Sequence, residues 1–227
     1  MLVVIENFLT KHDVKQLRAE LDSADWVDGR TTAGSLSAQV KQNRQLDEQH
    51  PTALTLGQQL LRALGQHPEF ISACLPHKIY PPKFNRYSGG EHYGVHVDAA
   101  VMNIAGTNIS LRADISATLF LSEPDEYSGG ELVIEGEFGA QEIKLNAGDI
   151  VLYPASSLHQ VMPVTQGSRC SSFFWIQSMV QDTAQRAQLY DLDQAIQALS
   201  QNATNNPDTI LRLTGVYHNL LRRWAQV

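Results

Sequence analysis

A block of short β-type runs between residues 78 and 178 constrains the fold of this chain more than any other feature. Glycine, proline, asparagine and aspartate separate the runs, which read KIYPPKFNRY, HYGVHVD, SATLFL, ELVIE, QEIKL, DIVLYP and RCSSFFWIQS. Closely spaced strands without helical segments between them are typical of antiparallel sandwiches and barrels. The sequence therefore predicts an antiparallel β core over residues 78–178.

Helical patterns precede this core. The segment TKHDVKQLRAEL begins with Thr10 and Asp13, which have the spacing of a capping box, and it carries an apolar stripe on one side. A second helical segment follows Pro51, and a shorter one covers about residues 70–75. We therefore predict helices on the N-terminal side of the β core.

Two further helical patterns follow the core. An apolar stripe runs through residues 189–199, and Asn206 with Pro207 has the pattern of a helix start. We predict an α+β domain over residues 1–178 and a C-terminal helical extension over residues 179–227. The stripes allow the extension to pack on the sheet or to form a homo-oligomer contact, and the sequence leaves both open.

The charge, the N-terminal sequence and the cysteine content limit the partners and the cellular compartment that we expect for this protein. The formal net charge is −7 with no block of like charges, which argues against nucleic acid or an anionic membrane as a partner. The N-terminus MLVVIENFLT lacks a basic region and a cleavage site, and no apolar window is long enough to span a bilayer. The two cysteines, Cys74 and Cys170, form no disulfide framework. We expect a cytoplasmic protein.

The pentapeptide GVHVD places a possible metal-binding pair on one strand. Residues i and i+2 of a strand point the same way, so His96 and Asp98 present an imidazole and a carboxylate side by side. With eight histidines in 227 residues, chance alone predicts about 0.5 such triplets. A hydrogen-bonded pair at a strand end is therefore a serious alternative.

A third ligand candidate is His159, in the segment that follows the buried run GDIVLYP. Two histidines and one carboxylate form the facial triad that holds non-haem Fe(II) and leaves coordination positions open. A structural zinc site would more often use cysteines and close its coordination sphere.

The segment GSRCSSFFW places Arg169 and Ser171 on one strand face, and Cys170 and Ser172 on the other. An inward-facing arginine in a β core is costly unless an anion meets it. Its planar fork suits a bidentate carboxylate, from either a protein side chain or a small ligand. An internal salt bridge is the alternative to a ligand site.

These motifs together resemble a known family. The order HxD, then H after about sixty residues, then R ten residues later, resembles the Fe(II)- and 2-oxoglutarate-dependent dioxygenases, which have a double-stranded β-helix (jelly-roll) core. More specifically, YSGGEHYGVHVD, RADISATLFLSEPDEYSGGEL and AGDIVLYPASSLHQVMPVTQGSR resemble the bacterial PKHD-type hydroxylases, relatives of the prolyl hydroxylases. The resemblance covers about residues 78–178, and the helical ends are similar as well.

The resemblance implies a site residue by residue. It implies Fe(II) ligands at His96, Asp98 and His159, with Arg169 binding the distal carboxylate of 2-oxoglutarate. Tyr87 matches a tyrosine near the cosubstrate of related prolyl hydroxylases, and Ser171 matches the RxS pairing of other dioxygenase branches. O2 is the implied second cosubstrate, and a need for ascorbate (vitamin C) is implied by resemblance alone. Collagen-type enzymes carry lysine where Arg169 stands, so their substrate preference does not transfer.

The implied activity is hydroxylation of a substrate that the sequence does not identify, coupled to oxidative decarboxylation of 2-oxoglutarate. The substrate could be a small molecule, a peptide or a protein side chain, and the family's association with bacterial iron uptake favours a siderophore-related one. A non-catalytic iron or 2-oxoglutarate sensor is the alternative. A cupin-like domain with a structural metal ranks last, because it does not explain Arg169.

Three smaller expectations concern the surroundings of the triad. Strict alternation places His92 on the face of His96 and Tyr93 on the opposite face. The segment of residues 99–115 is rich in small residues and is either a mobile lid or a plain connection. The pentapeptide YSGGE occurs at residues 87–91 and 127–131 with unlike flanks, which indicates two similar turns.

Overall fold

Two antiparallel sheets and flanking helices make up the fold of this computed structural model, which describes residues 1–32, 37–136, 139–201 and 206–227. The larger sheet contains β1 (Val3–Ile5), β2 (Trp26–Asp28), β4 (Arg44–Leu46), β5 (Pro76–Ile79), β6 (Lys83–Ser88), β10 (Ile115–Phe120), β11 (Tyr127–Gly129), β14 (Ile150–Pro154) and β16 (Val164–Ser178). The smaller sheet contains β3 (Lys41–Gln42), β7 (His92–His96), β12 (Leu132–Gly136), β13 (Gly139–Ile143) and β15 (His159–Val161). A separate hairpin joins β8 (Val101–Asn103) to β9 (Ser110–Arg112). The predicted antiparallel β core is confirmed.

The two sheets share an apolar cluster. Phe120, Val151 and Tyr153 from the larger sheet are buried together with Leu132 and Val161 from the smaller one. Each side chain of this size contributes roughly 1.5–3 kcal/mol when it is fully removed from water. This cluster holds the sheets against each other and forms part of the wall of the site described below.

The 15-residue strand β16 organises the larger sheet. It pairs with β10 and β6 on its two sides, and its ends pair with β11 and β5. Alternate side chains of β16 lie on opposite faces of the sheet. Cys170, Phe174 and Ile176 pack in the core under the helices. Arg169 and Ser171 face the other sheet. The alternation expected for GSRCSSFFW is confirmed.

The helices are α1 (Lys11–Asp22), α2 (Ser37–Val40), α3 (Pro51–Gln66), α4 (Pro68–Cys74), α5 (Thr183–Ser200) and α6 (Pro207–Trp224). Thr10 and Asp13 form the predicted capping box, and Asn206 caps α6 as expected. Apolar side chains of α1, α3 and α4 form one core cluster with Phe174 and Ile176 of β16. The first helices therefore cover the outer face of the larger sheet.

The C-terminal helices pack on the rest of the chain. Leu189 of α5 is buried with Leu75 and Val180, and Tyr217 and Trp224 of α6 pack against this cluster. The Ser72 hydroxyl of α4 donates to a carboxylate oxygen of Asp193 in α5 at 2.6 Å, and the Tyr190 hydroxyl donates to Glu69 at 3.0 Å. Both helices therefore have contacts within the chain, and the homo-oligomer contact that the sequence also allows stays a prediction. Among the described residues, no helix combines the length and apolarity needed to cross a membrane.

Candidate active site

His96, Asp98 and His159 come together at one place between the sheets. His96 ends β7 and pairs with His159 on the neighbouring strand β15, while Asp98 follows two residues later. One ligand atom from each residue lies within 4.8 Å of the others. The Ser116 hydroxyl of β10 donates to Asp98 Oδ2 at 2.6 Å and fixes the carboxylate. This set of donors suits a divalent metal ion with open coordination positions.

Backbone contacts orient both imidazoles towards the same point. His96 Nδ1 lies 2.8 Å from the carbonyl oxygen of Gly94, and His159 Nδ1 lies 3.0 Å from that of Ser157. A carbonyl can only accept, so each Nδ1 carries the proton and each Nε2 keeps a lone pair. His159 Nε2 is 3.7 Å from Asp98 Oδ2. Each Nε2 therefore offers the lone pair that a metal ligand requires, beside the carboxylate of Asp98.

Burial keeps His96 neutral. Its removal from water, and then its electrostatic interaction with His159, lowers the pKa of His96 from 6.5 to about 4. A neutral imidazole at neutral pH requires no proton release from this residue when a metal binds. The surroundings of His96 thus favour the ligand form before any ion arrives.

The metal-free protein is expected to lose up to about 3 kcal/mol of stability as pH falls from about 6.5 to about 4. In this window an unfolded chain protonates the imidazole of His96, whereas the folded protein does not. The unfolded state therefore binds more protons, and acid favours it. Urea unfolding of chelator-treated protein at pH 6.8 and 4.5 measures the difference. His96→Gln should reduce it and the exposed His12→Gln should not; equal pH dependence in wild type and His96→Gln would contradict the assignment.

A cavity of about 310 Å³ opens beside the triad. Its walls come from both sheets and include Tyr87, Arg169 and Ser171 as well as all three triad residues. This volume lies at the small end of the roughly 300–1,000 Å³ typical of ligand pockets. The cavity therefore suits a small cosubstrate together with a small molecule or a single side chain.

Arg169 lies deep in this cavity with part of its fork free. The residue is 1% exposed, and its Nη1 donates to the Ser171 hydroxyl at 2.8 Å. Ser171 in turn donates to Asn85 Oδ1 at 2.6 Å. Arg169 Nε and Nη2 are buried without a hydrogen-bond partner, and no carboxylate of the described residues pairs with this guanidinium. An anion entering the cavity would satisfy two donors at once.

The two YSGGE pentapeptides, residues 87–91 and 127–131, lie next to Arg169. Tyr87 lies under the guanidinium, with its ring centre 5.6 Å from Cζ, and the buried hydroxyl of Tyr127 lies near Arg169 without a hydrogen bond of ordinary geometry. In both copies the two glycines have positive φ, and the second glycine donates its N–H to a carbonyl, Gly90 to that of Val164 at the start of β16 and Gly130 to that of Pro163 just before it. A Cβ at Gly130 would lie 3.1 Å from Arg169 Cδ. The expectation of two similar turns is confirmed, and the repeat was the signal that could have identified Tyr127.

The prediction for His92 and Tyr93 is wrong. Between β7 and β15 the register slips by one residue, so that Val161 pairs with Tyr93 while His159 pairs with His96. This bulge turns Tyr93 inward, where its ring stacks on His96 with centroids 3.6 Å apart. His92 instead places Nδ1 3.3 Å from the carbonyl of Gly90, and it does not line the cavity.

The segment of residues 99–115 lies at the cavity as expected. Ala99 and Met102 line the cavity, and the hairpin of β8 and β9 extends from it. The Arg112 guanidinium binds Asp114 with Nε 2.6 Å from Oδ1, and the Arg112 N–H donates to Gln177. These contacts fix the base of the hairpin to β16. The proposed mobility of this segment stays a prediction.

Comparison with known proteins identifies the family to which the chain belongs. A family model described as the 2OG-Fe(II) oxygenase superfamily matches residues 82–177, and one described as the PKHD-type hydroxylase C-terminal domain matches residues 183–226. A protein of Pseudoalteromonas atlantica named PKHD-type hydroxylase is 57% identical over 225 residues, which is 99% of each chain.

Two solved structures share the fold. A prolyl-4-hydroxylase of Pseudomonas putida matches with a TM-score of 0.53 and 21% identity, over 78% of this chain and 92% of that one. A prolyl hydroxylase of Trichoplax adhaerens, in complex with a peptide fragment of hypoxia inducible factor, matches with a TM-score of 0.56 and 15% identity, over 78% and 83%.

Proposed function

The chain belongs to the PKHD-type hydroxylase family, whose members carry a 2OG-Fe(II) oxygenase domain, and on that premise we propose that His96, Asp98 and His159 hold its Fe(II). The protein is a 2-oxoglutarate-dependent dioxygenase. The observation that carries the site assignment is one cavity that contains both a three-residue metal-binding cluster and the unsatisfied guanidinium of Arg169.

Arg169 is the proposed anchor for the distal carboxylate of 2-oxoglutarate. Ser171 and Asn85 hold one arm of the guanidinium, so that Nε and Nη2 keep a fixed direction into the cavity. Tyr87 packs beneath the guanidinium, and burial raises the pKa of its hydroxyl to about 12, which keeps it neutral. A neutral hydroxyl beside a carboxylate can donate a hydrogen bond without adding repulsion.

The triad residues have separate tasks in this proposal. The two imidazoles supply neutral nitrogen ligands, and Asp98 supplies a negative charge that Ser116 orients. When bound, Fe(II) with 2-oxoglutarate and O2 supplies the oxidative decarboxylation that yields succinate, CO2 and a hydroxylated product. The surrounding sheets exclude water from the reacting groups and hold the substrate in place.

Several finer expectations remain proposals. We propose that the two sheets form the double-stranded β-helix of the superfamily, with a unit boundary near residue 178. Hydroxylation of a small molecule or of a peptide side chain, a role in iron uptake and a requirement for ascorbate are proposed from the resemblance. We also propose that the protein forms a homo-oligomer and is located in the cytoplasm.

An anaerobic titration of the metal-free protein with Fe(II) and 2-oxoglutarate tests the proposed function. Chelation of the iron by the keto acid gives a visible charge-transfer band, so the band should appear only when both components are present. Adding O2 should then yield succinate even without a prime substrate, which a non-catalytic sensor would not produce. Absence of the band from the folded protein would refute the site.

A further inference from the structure

We propose that the prime substrate presents an aromatic ring, which packs beside the metal site against the rings of Tyr80, Phe173 and Trp175. We call these three side chains the aromatic wall. This substrate class rests on the proposed function, since it assigns the part of the same cavity that the cosubstrate leaves free.

The register of the larger sheet places Trp175 next to the triad. Trp175 of β16 pairs with Ser116 of β10, and the Ser116 hydroxyl donates to Asp98 Oδ2 at 2.6 Å. Side chains of directly paired residues lie on the same face of a sheet, with Cβ atoms about 4.5–5.5 Å apart. Trp175 therefore lies one strand away from the residue that orients a proposed iron ligand.

The other two rings of the aromatic wall contact Trp175. Phe173 lies two residues earlier on the same face of β16, and its ring meets that of Trp175 edge to face with centroids 5.6 Å apart. Tyr80 follows β5 and meets Trp175 in the same way at 5.5 Å. All three residues line the cavity. A continuous aromatic surface thus begins beside the metal site.

Polar contacts hold the ring of Tyr80 in place. Its backbone N–H donates to the carbonyl of Trp175 at 2.8 Å, and its hydroxyl donates to Glu48 Oε2 at 3.0 Å. Glu48 Oε1 also forms an ion pair with Lys83, whose Nζ lies 2.5 Å away. Because the ring is tied at both ends, a ligand that packs on it loses little affinity to ordering the site.

The aromatic wall and Arg169 lie at different places along one strand. Arg169 precedes Trp175 by six residues on β16, which corresponds to roughly 20 Å along the strand. Ser171 and Phe173 lie between them on the same face. The proposal therefore assigns the Arg169 end of the cavity to 2-oxoglutarate and the Trp175 end to the substrate.

The chemistry of the wall favours a neutral ring. Aromatic rings prefer edge-to-face and offset contacts, which contribute affinity beyond the area that they bury, and a further ring can extend the arrangement around Trp175. Met102 also lines the cavity, and a thioether makes favourable contacts with rings. Aromatic faces attract cations too, but the Lys83 ammonium already lies 5.8 Å from the centre of the Tyr80 ring. An additional cation would meet that charge.

Binding of 3-phenylpropanamide and of 3-cyclohexylpropanamide tests the proposal. The two probes are neutral and equally long, and they differ in the aromaticity of the ring. Ligand-observed NMR with the full chain, loaded with Zn(II) in place of iron and with saturating 2-oxoglutarate, should show roughly 2–10-fold tighter binding of the phenyl probe. Trp175→Leu should abolish this preference, and Phe173→Leu should reduce it. Trp224→Leu is the matched control and should retain it, because Trp224 packs in a different cluster.

The indole N–H signals locate the bound probe without any change to the wall. The chain contains three tryptophans, Trp26, Trp175 and Trp224, so a proton–nitrogen correlation spectrum has three indole signals, and Trp175→Leu identifies one of them. In the wild-type protein the phenyl probe should shift the Trp175 signal and leave the other two in place. This readout does not depend on how well the variants fold.

Equal affinity for the phenyl and cyclohexyl probes, or no binding of either up to about 10 mM, would overturn the proposal. Binding that leaves the Trp175 signal in place would overturn it as well, and so would binding that 2-oxoglutarate abolishes. Tighter binding of tetramethylammonium than of the phenyl probe would replace the neutral ring with a cation. The Fe(II) and 2-oxoglutarate band separates the two claims: if it forms while the phenyl probe fails, only the substrate class falls.

Discussion

Asp98→Ala is expected to abolish Fe(II) binding and succinate formation together. Asp98 is the single carboxylate of the cluster. Without it only two neutral imidazoles remain as ligands, and neither offsets the charge of a divalent ion. Loss of residues that merely support metal ligands typically costs 10–100-fold in affinity, so removal of a ligand should cost roughly 100-fold or more. Fe(II) titration under anaerobic conditions, followed by succinate measurement after addition of O2, gives both quantities on the same sample.

A graded series sharpens this test. Ser116→Ala keeps the carboxylate but removes the hydroxyl that donates to Asp98 Oδ2, and it should weaken Fe(II) binding roughly 10–100-fold. The exposed Asp25→Ala serves as the matched control and should bind iron as the wild type does. Tight iron binding with normal succinate output in Asp98→Ala would mean that the carboxylate has only a structural role.

Arg169→Met is expected to raise the dissociation constant for 2-oxoglutarate roughly 10–150-fold, which corresponds to about 1.5–3 kcal/mol for a charge-assisted contact. The same variant should leave the stability of the ligand-free protein unchanged or increase it. A buried guanidinium with two unpaired donors is costly to fold, and methionine of similar length removes that cost.

The two readouts separate a ligand site from an internal salt bridge. Breaking a buried ion pair would destabilise the ligand-free protein by about 3–5 kcal/mol, whereas the free fork seen here predicts no such loss. Urea unfolding without ligand and titration of the visible band with 2-oxoglutarate measure the two effects. The exposed Arg62→Met is the control and should alter neither. Unchanged 2-oxoglutarate affinity in Arg169→Met would refute the assignment.

The elements that local patterns determine could be predicted from the sequence. Period-two alternation placed Arg169 and Ser171 on one face of β16, and capping residues located the starts of α1 and α6. The order of the motifs resembles that of a known family, and this resemblance predicted that His159 lies beside His96 and Asp98. Each of these predictions depends on residues close in sequence or on a shared motif.

The parts that could not be predicted depend on pairing between distant strands. Ser116 reaches Asp98, and Lys41 reaches the wall opposite Lys83, only because the two sheets face each other in one register. Tyr93 points inward because of a one-residue bulge, which no local pattern indicates. Such features depend on contacts between residues that are far apart in the chain, so no local pattern in a single sequence indicates them.

The length of β16 has a consequence for how this enzyme can be engineered and how it can diverge. Arg169 and Phe173 lie on one continuous strand, so inserting one residue between them would turn Phe173 and Trp175 from the cavity towards the helices. Insertion of two residues would preserve the faces but move Phe173 and Trp175 by roughly 7 Å along the strand. Length changes should therefore be tolerated in the connections between strands, whereas within this strand even a single codon gained or lost would change which side chains face the cavity beside Arg169.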